Sequence, residues 1–312
     1  YTGTWCSWCV RGIVAMNKLH AQAKDWFVGI AAHSDVMSGY YTDGLFGIWT
    51  ASSFPSGFIN RKDKGVDPGK FETEGLAMLM DEPVMSSLEV KADVPDYSGR
   101  TINTTTTLYF GADSTTHKFR LAYIIDENNV HHPNDAKYSQ YNAAYSIAAG
   151  GTGGVMGGWE KLPKTVGAED MWFHEVARWY DTDLNGLDLL PKTIHRDEPI
   201  VVSHTLTIPD SIEIDTLRNC ELVVLLIDGN DNHVVNAEKV ALDSNAMPLV
   251  DVAARWLAVH GDPDGITDIT ATGSRDRKAV AFYTIDGRRI DASQKGMTIV
   301  KYNDGTTAKV FR

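Results

Sequence analysis

Two cysteines lie three residues apart at the head of the chain, in Trp5-Cys6-Ser7-Trp8-Cys9. That spacing suits two kinds of chemistry: cycling between dithiol and disulfide, or supplying half of a tetrahedral metal site. A zinc site needs two further ligands, and the third cysteine, Cys220, has no close partner. Covalent haem attachment would need a histidine directly after Cys9, where Val10 stands. Thiol–disulfide chemistry is therefore the leading reading, with no metal and no cofactor. In it Cys6 is the exposed attacking sulfur, and Cys9 is the more buried thiol that resolves a mixed disulfide. Trp5 and Trp8 would give an apolar rim for an extended thiol substrate.

The element that positions the pair follows it directly. Val10, Ile13, Val14, Met16, Leu19 and Ala23 recur at helical spacing over about four turns. Cys6 thus falls at or just before a helix N-terminus, where free N–H groups and the dipole favour a thiolate. In such settings a cysteine pKa drops from about 8.5 to roughly 3.5–7.5. Trp26 to His33 reads as a buried strand and Gly44 to Thr50 as a short helix. Phe54-Pro55-Ser56 introduces a short apolar strand, and a last helix runs from Phe71 to Met80, ended by Glu82-Pro83.

The Trp5–Cys9 phrase, the helix behind it and Phe54-Pro55-Ser56 together resemble the thioredoxin superfamily. This implies that Pro55 is cis and lies beside the sulfurs, and that Phe54 offers backbone groups to an extended peptide. More specifically, Tyr1-Thr2-Gly3-Thr4-Trp5-Cys6 resembles the outer-membrane lipoprotein family known as Omp-twenty-eight-related. The dipeptide between the cysteines is Ser-Trp, where thioredoxin itself has Gly-Pro. The strand that would run into the motif lies mostly upstream of Tyr1. The acidic residue thioredoxin carries six positions before its first cysteine would fall there too. The abrupt opening at Tyr1 reads as a mature or trimmed form.

After Pro83 the pattern changes to period two. Ser87–Val94, Asn103–Phe110, Lys118–Ile125, Ile200–Ile208 and Cys220–Ile227 read as strands, and Asp228 to His233 turns the chain into Val234-Val235. With the long connection Thr207–Leu217 they suggest an immunoglobulin-like β-sandwich. Between them lies an irregular insert, Asn128 to Trp179. Its glycine run, Gly150 to Gly158, lacks the Gly-Lys-Ser/Thr of a phosphate loop. The phrase Asp170 to Arg178 resembles the same lipoprotein family, and His174 within it reads as structural. His131-His132 reads as a solvated loop pair and Cys220 as a buried, inert thiol. Asp181-Thr182-Asp183-Leu184-Asn185-Gly186 opens like a calcium loop, but Lys192 stands where the bidentate glutamate belongs, so no calcium is expected.

The tail reads as short strands joined by Asp286-Gly287 and Asp304-Gly305 turns. Its Tyr283-to-Arg288 and Lys295-Gly296 phrases and basic end resemble the C-terminal sorting domain of type IX secretion substrates. That resemblance implies display on, or passage across, the outer membrane.

The chain has 312 residues, 43% hydrophobic and 22% charged, with formal net charge −12. This excess of acid disfavours nucleic acid and anionic membrane surfaces. No apolar run approaches the roughly 20 residues of a spanning helix. The expected organisation is an α/β thioredoxin-like domain over 1–82, an all-β immunoglobulin-like sandwich over 83–248, and a linker with a small β sorting-like unit over 249–312. Two functions follow. One is an extracytoplasmic thiol–disulfide oxidoreductase acting on protein thiols or disulfides. The other is a non-catalytic surface or adhesin-like lipoprotein that binds a protein partner and keeps Cys6–Cys9 as a structural disulfide. Either places the chain in the periplasm, in the outer membrane or on the cell surface.

Overall fold

A computed structural model describes residues 1–23, 26–37, 53–62, 65–81, 85–146, 157–181, 183–261, 263, 279–283, 289–291, 297–303 and 307–311. The chain forms two compact units, Tyr1–His260 and Gly261–Arg312.

The first unit opens with a 3-10 turn, Ser7–Cys9, that runs straight into helix α1, Val10–Ala23. The expected helical spacing is realised: Val10, Val14, Ala15, Leu19 and Ala23 are buried along one face. Helix α2, Phe71–Asp81, follows a 3-10 turn in which Pro68 occupies the first position and the Asp67 side chain accepts from the Gly69 N–H at 2.8 Å. Arg11 on α1 donates twice to the Asp67 carboxylate, tying the start of one helix to the cap of the other.

The expected strand over 26–33 is reduced to single bridges, Thr2 with His33 and Ala31 with Val176, both parallel. Each side offers this segment only one bridging residue, so no ladder propagates. The expected short helix at 44–50, the Glu82-Pro83 stop and the glycines 150–156 lie outside the described residues.

Two sheets form the larger part. One has order β1-β2-β7, from Ser86–Asp96, Thr101–Phe110 and Ile200–Thr207. The other has order β6-β3-β8-β9, from Val176–Tyr180, Phe119–Glu127, Cys220–Asp228 and Val234–Ala241. All their pairings are antiparallel. The sheets share a core that includes Ile102, Leu108, Leu206, Leu121, Ile125, Leu222 and Val224. The four-stranded sheet is covered on its other face as well, where Ala122, Ile124, Val223, Leu225 and Ile227 pack with Val28 and Ile30. That double burial explains why β3 and β8 read as near-continuous apolar runs, whereas β1 alternates.

The insert supplies a two-stranded sheet, β4 Gln140–Tyr141 with β5 Thr165–Val166. A third core joins Val10, Val14 and Met37 to insert residues such as Trp159, Met171, Phe173 and Val176, and to Val252 and Ala253. The stretch 249–260, expected as linker, is mostly helix α3, Val252–His260. It is held there because Val252 and Ala253 are buried and Arg255 lies over the Trp172 ring at 4.4 Å.

The second unit is a sheet of order β11-β10-β12-β13, from Arg289–Ile290, Ala279–Tyr283, Met297–Tyr302 and Thr307–Phe311. Its expected turns at Asp286-Gly287, Lys295-Gly296 and Asp304-Gly305 lie outside the described residues.

Candidate functional site

Cys6 caps the 3-10 turn in extended conformation, and Cys9 closes it, so the two side chains meet across one turn at a Cα separation of 5.3 Å and form a disulfide. The turn is fixed by the Cys6 N–H bonding the Gly3 carbonyl at 3.0 Å and the Cys9 N–H bonding the Cys6 carbonyl at 3.1 Å.

The expected order of burial holds, but the expected open exposure of Cys6 does not. Cys6 is 6% exposed and Cys9 0%. The reason is the insert: the Gln140 amide donates to the Cys6 carbonyl at 3.0 Å, and the Tyr141 N–H donates to the Thr4 carbonyl at 3.0 Å, so β4 lies against the residues leading into the pair. The tryptophans stay open, Trp5 at 52% and Trp8 at 45%.

Phe54, Pro55 and Trp5 are brought to this place. The Phe54–Pro55 peptide is cis, as expected. A Cβ placed on Gly12 of α1 would sit 3.9 Å from the Pro55 Cβ, which sets the proline against the first turns of the cysteine helix. The Trp5 and Phe54 rings lie 5.3 Å apart, tilted by 49°. The Trp5 indole N–H donates to the Ser34 carbonyl at 2.9 Å, which fixes the ring.

Beneath Trp5 lies Asp35, which sequence reasoning passed over. Its carboxylate accepts from the Thr4 N–H at 2.7 Å, from the Met37 N–H at 2.8 Å, and bonds His33 Nδ1 at 3.0 Å. Burial alone would push the Asp35 pKa up. The His33 hydrogen bond and charge, with the two N–H donors, outweigh it and hold the pKa below the usual carboxylate value. The Ser34-Asp35 step after an apolar run is a turn signal that could have drawn attention to it.

A second group also escaped the sequence. Asp126 on β3 and Glu221 on β8 are cross-strand partners. Glu175, Lys239 and His20 join them: Lys239 Nζ is 3.1 Å from Glu221 and 3.8 Å from Glu175, and His20 Nε2 is 2.8 Å from Glu175. This cluster stands between α1 and the four-stranded sheet.

The other chemistry-bearing residues have structural partners. His174 accepts the Asn129 N–H at Nδ1 (3.2 Å) and bonds the Val250 carbonyl through Nε2 (2.9 Å). His131, expected in solvent, is stacked on Trp172 with centroids 3.9 Å apart and bonds the Met171 carbonyl at 2.7 Å. His132 pairs with Asp215 at 2.9 Å. Asp181 is engaged by His204 at 2.6 Å, and Asp183 accepts from the Asn185 N–H at 2.8 Å. Gly186, with φ +87°, lets this loop approach β3: a Cβ there would fall 2.8 Å from the Arg120 Cβ and 3.1 Å from the Leu121 backbone. Cys220 is buried, and burial first, then the nearby Glu127 charge, pushes its thiol pKa well up.

No protein-family model matches the chain, and no curated protein does. Among solved structures it is similar to HBP35 of Porphyromonas gingivalis, at 14% identity and TM-score 0.53, over 99% of this chain and 94% of that one. It also aligns with a domain of the outer membrane lipoprotein Omp28 from Porphyromonas gingivalis, at 13% identity and TM-score 0.26, over 52% of this chain and 93% of that one. What the chain shares with HBP35 is therefore a mixed fold of helices and β-rich parts, along its whole length.

Proposed function

We propose that this chain is an extracytoplasmic thiol–disulfide oxidoreductase-like protein working through the Cys6/Cys9 couple. The observation that carries this reading is the disulfide at the start of α1, with Pro55 against that helix and exposed Trp5 and Trp8 around it. On this reading residues 1–82 are a thioredoxin-like head, 83–248 an immunoglobulin-like sandwich that presents or positions partners, and 249–312 carry a sorting-like tail. A persistent disulfide suits an oxidising compartment, which favours the periplasm, outer membrane or cell surface. No helix among the described residues is long and apolar enough to cross a membrane.

In the forward direction a partner thiolate attacks Cys6 Sγ, on the less buried of the two cysteines. The Cys6–Cys9 bond breaks, Cys9 leaves as thiolate and takes a proton, and a mixed disulfide joins Cys6 to the partner. The partner's second thiolate then attacks its own sulfur in that bond and releases Cys6, which is protonated in turn. Two electrons and two protons pass from the partner's dithiol to the couple. Trp5, Trp8, Phe54 and Pro55 are the surface against which the partner chain lies.

The low exposure of Cys6 favours a second reading, a non-catalytic surface protein whose disulfide is structural. Two measurements separate them. A Cys6/Cys9 potential near or above about −230 mV fits exchange, and one below roughly −300 mV fits a structural bond. Cys9→Ser should trap partners as mixed disulfides while Cys6→Ser abolishes exchange. If both variants trap nothing and lose only a little stability, the oxidoreductase reading is wrong.

A further inference from the structure

Next to the disulfide runs a groove of about 560 Å³ whose walls come from the first forty residues and from the insert. Trp5 and Val36 form one side; Lys137, Ser139, Tyr141 and Thr165 form the other. The insert side is joined to the cysteine turn through the Tyr141–Thr4 and Gln140–Cys6 hydrogen bonds, so groove and disulfide are fixed in one frame. Trp5 and Tyr141 are about equally exposed, at 52% and 51%, and offer two aromatic faces to anything lying between them. The polar wall carries one charge, Lys137. It is exposed, and among the described residues no carboxylate pairs with it; the nearby Asp135 side chain accepts from the Lys137 backbone N–H instead. Lys137 is thus the charged group of the groove lining, a positive charge near the disulfide of a chain with net charge −12.

We infer that this groove holds an extended, acidic polypeptide segment that flanks the partner's reactive cysteine, with Lys137 reading a carboxylate and Trp5 and Tyr141 gripping the chain between them. The inference rests on the oxidoreductase reading and gives that site its substrate class.

The test uses the full chain and two short dithiol peptides, identical except for glutamate or lysine beside the first cysteine. At low salt the glutamate peptide should reduce the Cys6–Cys9 bond several-fold faster than the lysine peptide. Half-molar salt should erase the difference. Lys137→Glu should reverse the preference and Lys137→Gln should flatten it, because the side chain is solvent-exposed and neither change disturbs a core. In parallel, labelled peptides with serine in place of cysteine are titrated and followed by anisotropy, which reads the groove without exchange. If neither dithiol peptide exchanges but the acidic serine peptide binds more tightly, and Lys137→Glu reverses this, the groove stands and the redox reading falls. Equal affinities and equal rates for both peptides, or a preference that survives Lys137→Glu, overturn the inference. So would competition by a neutral oligosaccharide accompanied by no charge preference.

Discussion

Asp126 is fully buried, and neither of its oxygens has a hydrogen-bond partner. Directly across the ladder sits Glu221, a like charge in the position where cross-strand pairs interact most. Burial first, then Glu175 and Glu221, raises the Asp126 pKa well above the ordinary 3.8, with Lys239 only partly opposing. A carboxyl whose pKa rises on folding is harmless below the unfolded value and costs stability as pH climbs through the folded one. Asp126→Asn should therefore raise the melting temperature at pH 8 and do little at pH 4. Thermal melts at the two pH values decide it; an equal gain at both would mean that titration of Asp126 is not the cause. None of this is legible from Asp126-Glu127 in the sequence, because a carboxylate at the end of an apolar strand ordinarily turns into solvent. Cys6 and Cys9, by contrast, were legible as a pair from spacing alone, as was Pro55 as a cis residue from the resemblance. Gln140, Tyr141 and Lys137 were not, since nothing in an irregular segment announces that it returns to the cysteine turn.

Among the elements, α1 and the strands β1, β2 and β7 were readable because one face is buried and the spacing shows it, β3 and β8 because they are near-continuous apolar runs, and α2 from the Glu82-Pro83 stop that follows it. Strand β6 was not, since Val176 to Trp179 are all buried and leave no alternation to see. The same insert carries a clasp. Asn129 donates from its amide to the Met247 and Pro248 carbonyls, at 3.1 and 3.2 Å, and accepts from the Val250 N–H at 3.2 Å. His174 completes it by accepting one N–H and donating to the Val250 carbonyl, a pattern only the neutral ring can make. Burial lowers the His174 pKa from its ordinary 6.5. The clasp's contribution is thus complete above about pH 6.5 and falls as pH drops through the folded value, because the unfolded chain binds the proton more readily. His174→Ala should cost about 1 kcal/mol at neutral pH by stranding two part-buried backbone groups. Urea melts between pH 5 and 7.5 should show a shallower acid decline in the variant than in the wild type; parallel curves would remove His174 as the titrating group.

At the scale of the whole molecule, the break after His260 predicts that residues 261–312 can be removed and leave the first unit folded, with its melting curve unchanged within about 0.5 kcal/mol. If the tail is the sorting signal its phrases resemble, the truncated protein should also fail to reach the cell surface, which fractionation would read. Normal delivery would remove the sorting assignment, and a collapsed melt would show that the tail braces the rest. The third core, which runs from Val10 through Trp159 and Phe173 to Val252, has a consequence for the order of assembly. The cysteine helix begins within the first ten residues but cannot bury its inner face until nearly the whole of the first unit has been made or has crossed a membrane. Closing so long a loop is entropically costly before its contacts exist. A chain emerging amino end first therefore shows its two cysteines on an unsheltered amphipathic segment, open to any oxidant or chaperone there, and withdraws them only when the insert strand with Gln140 and Tyr141 packs onto the cysteine turn.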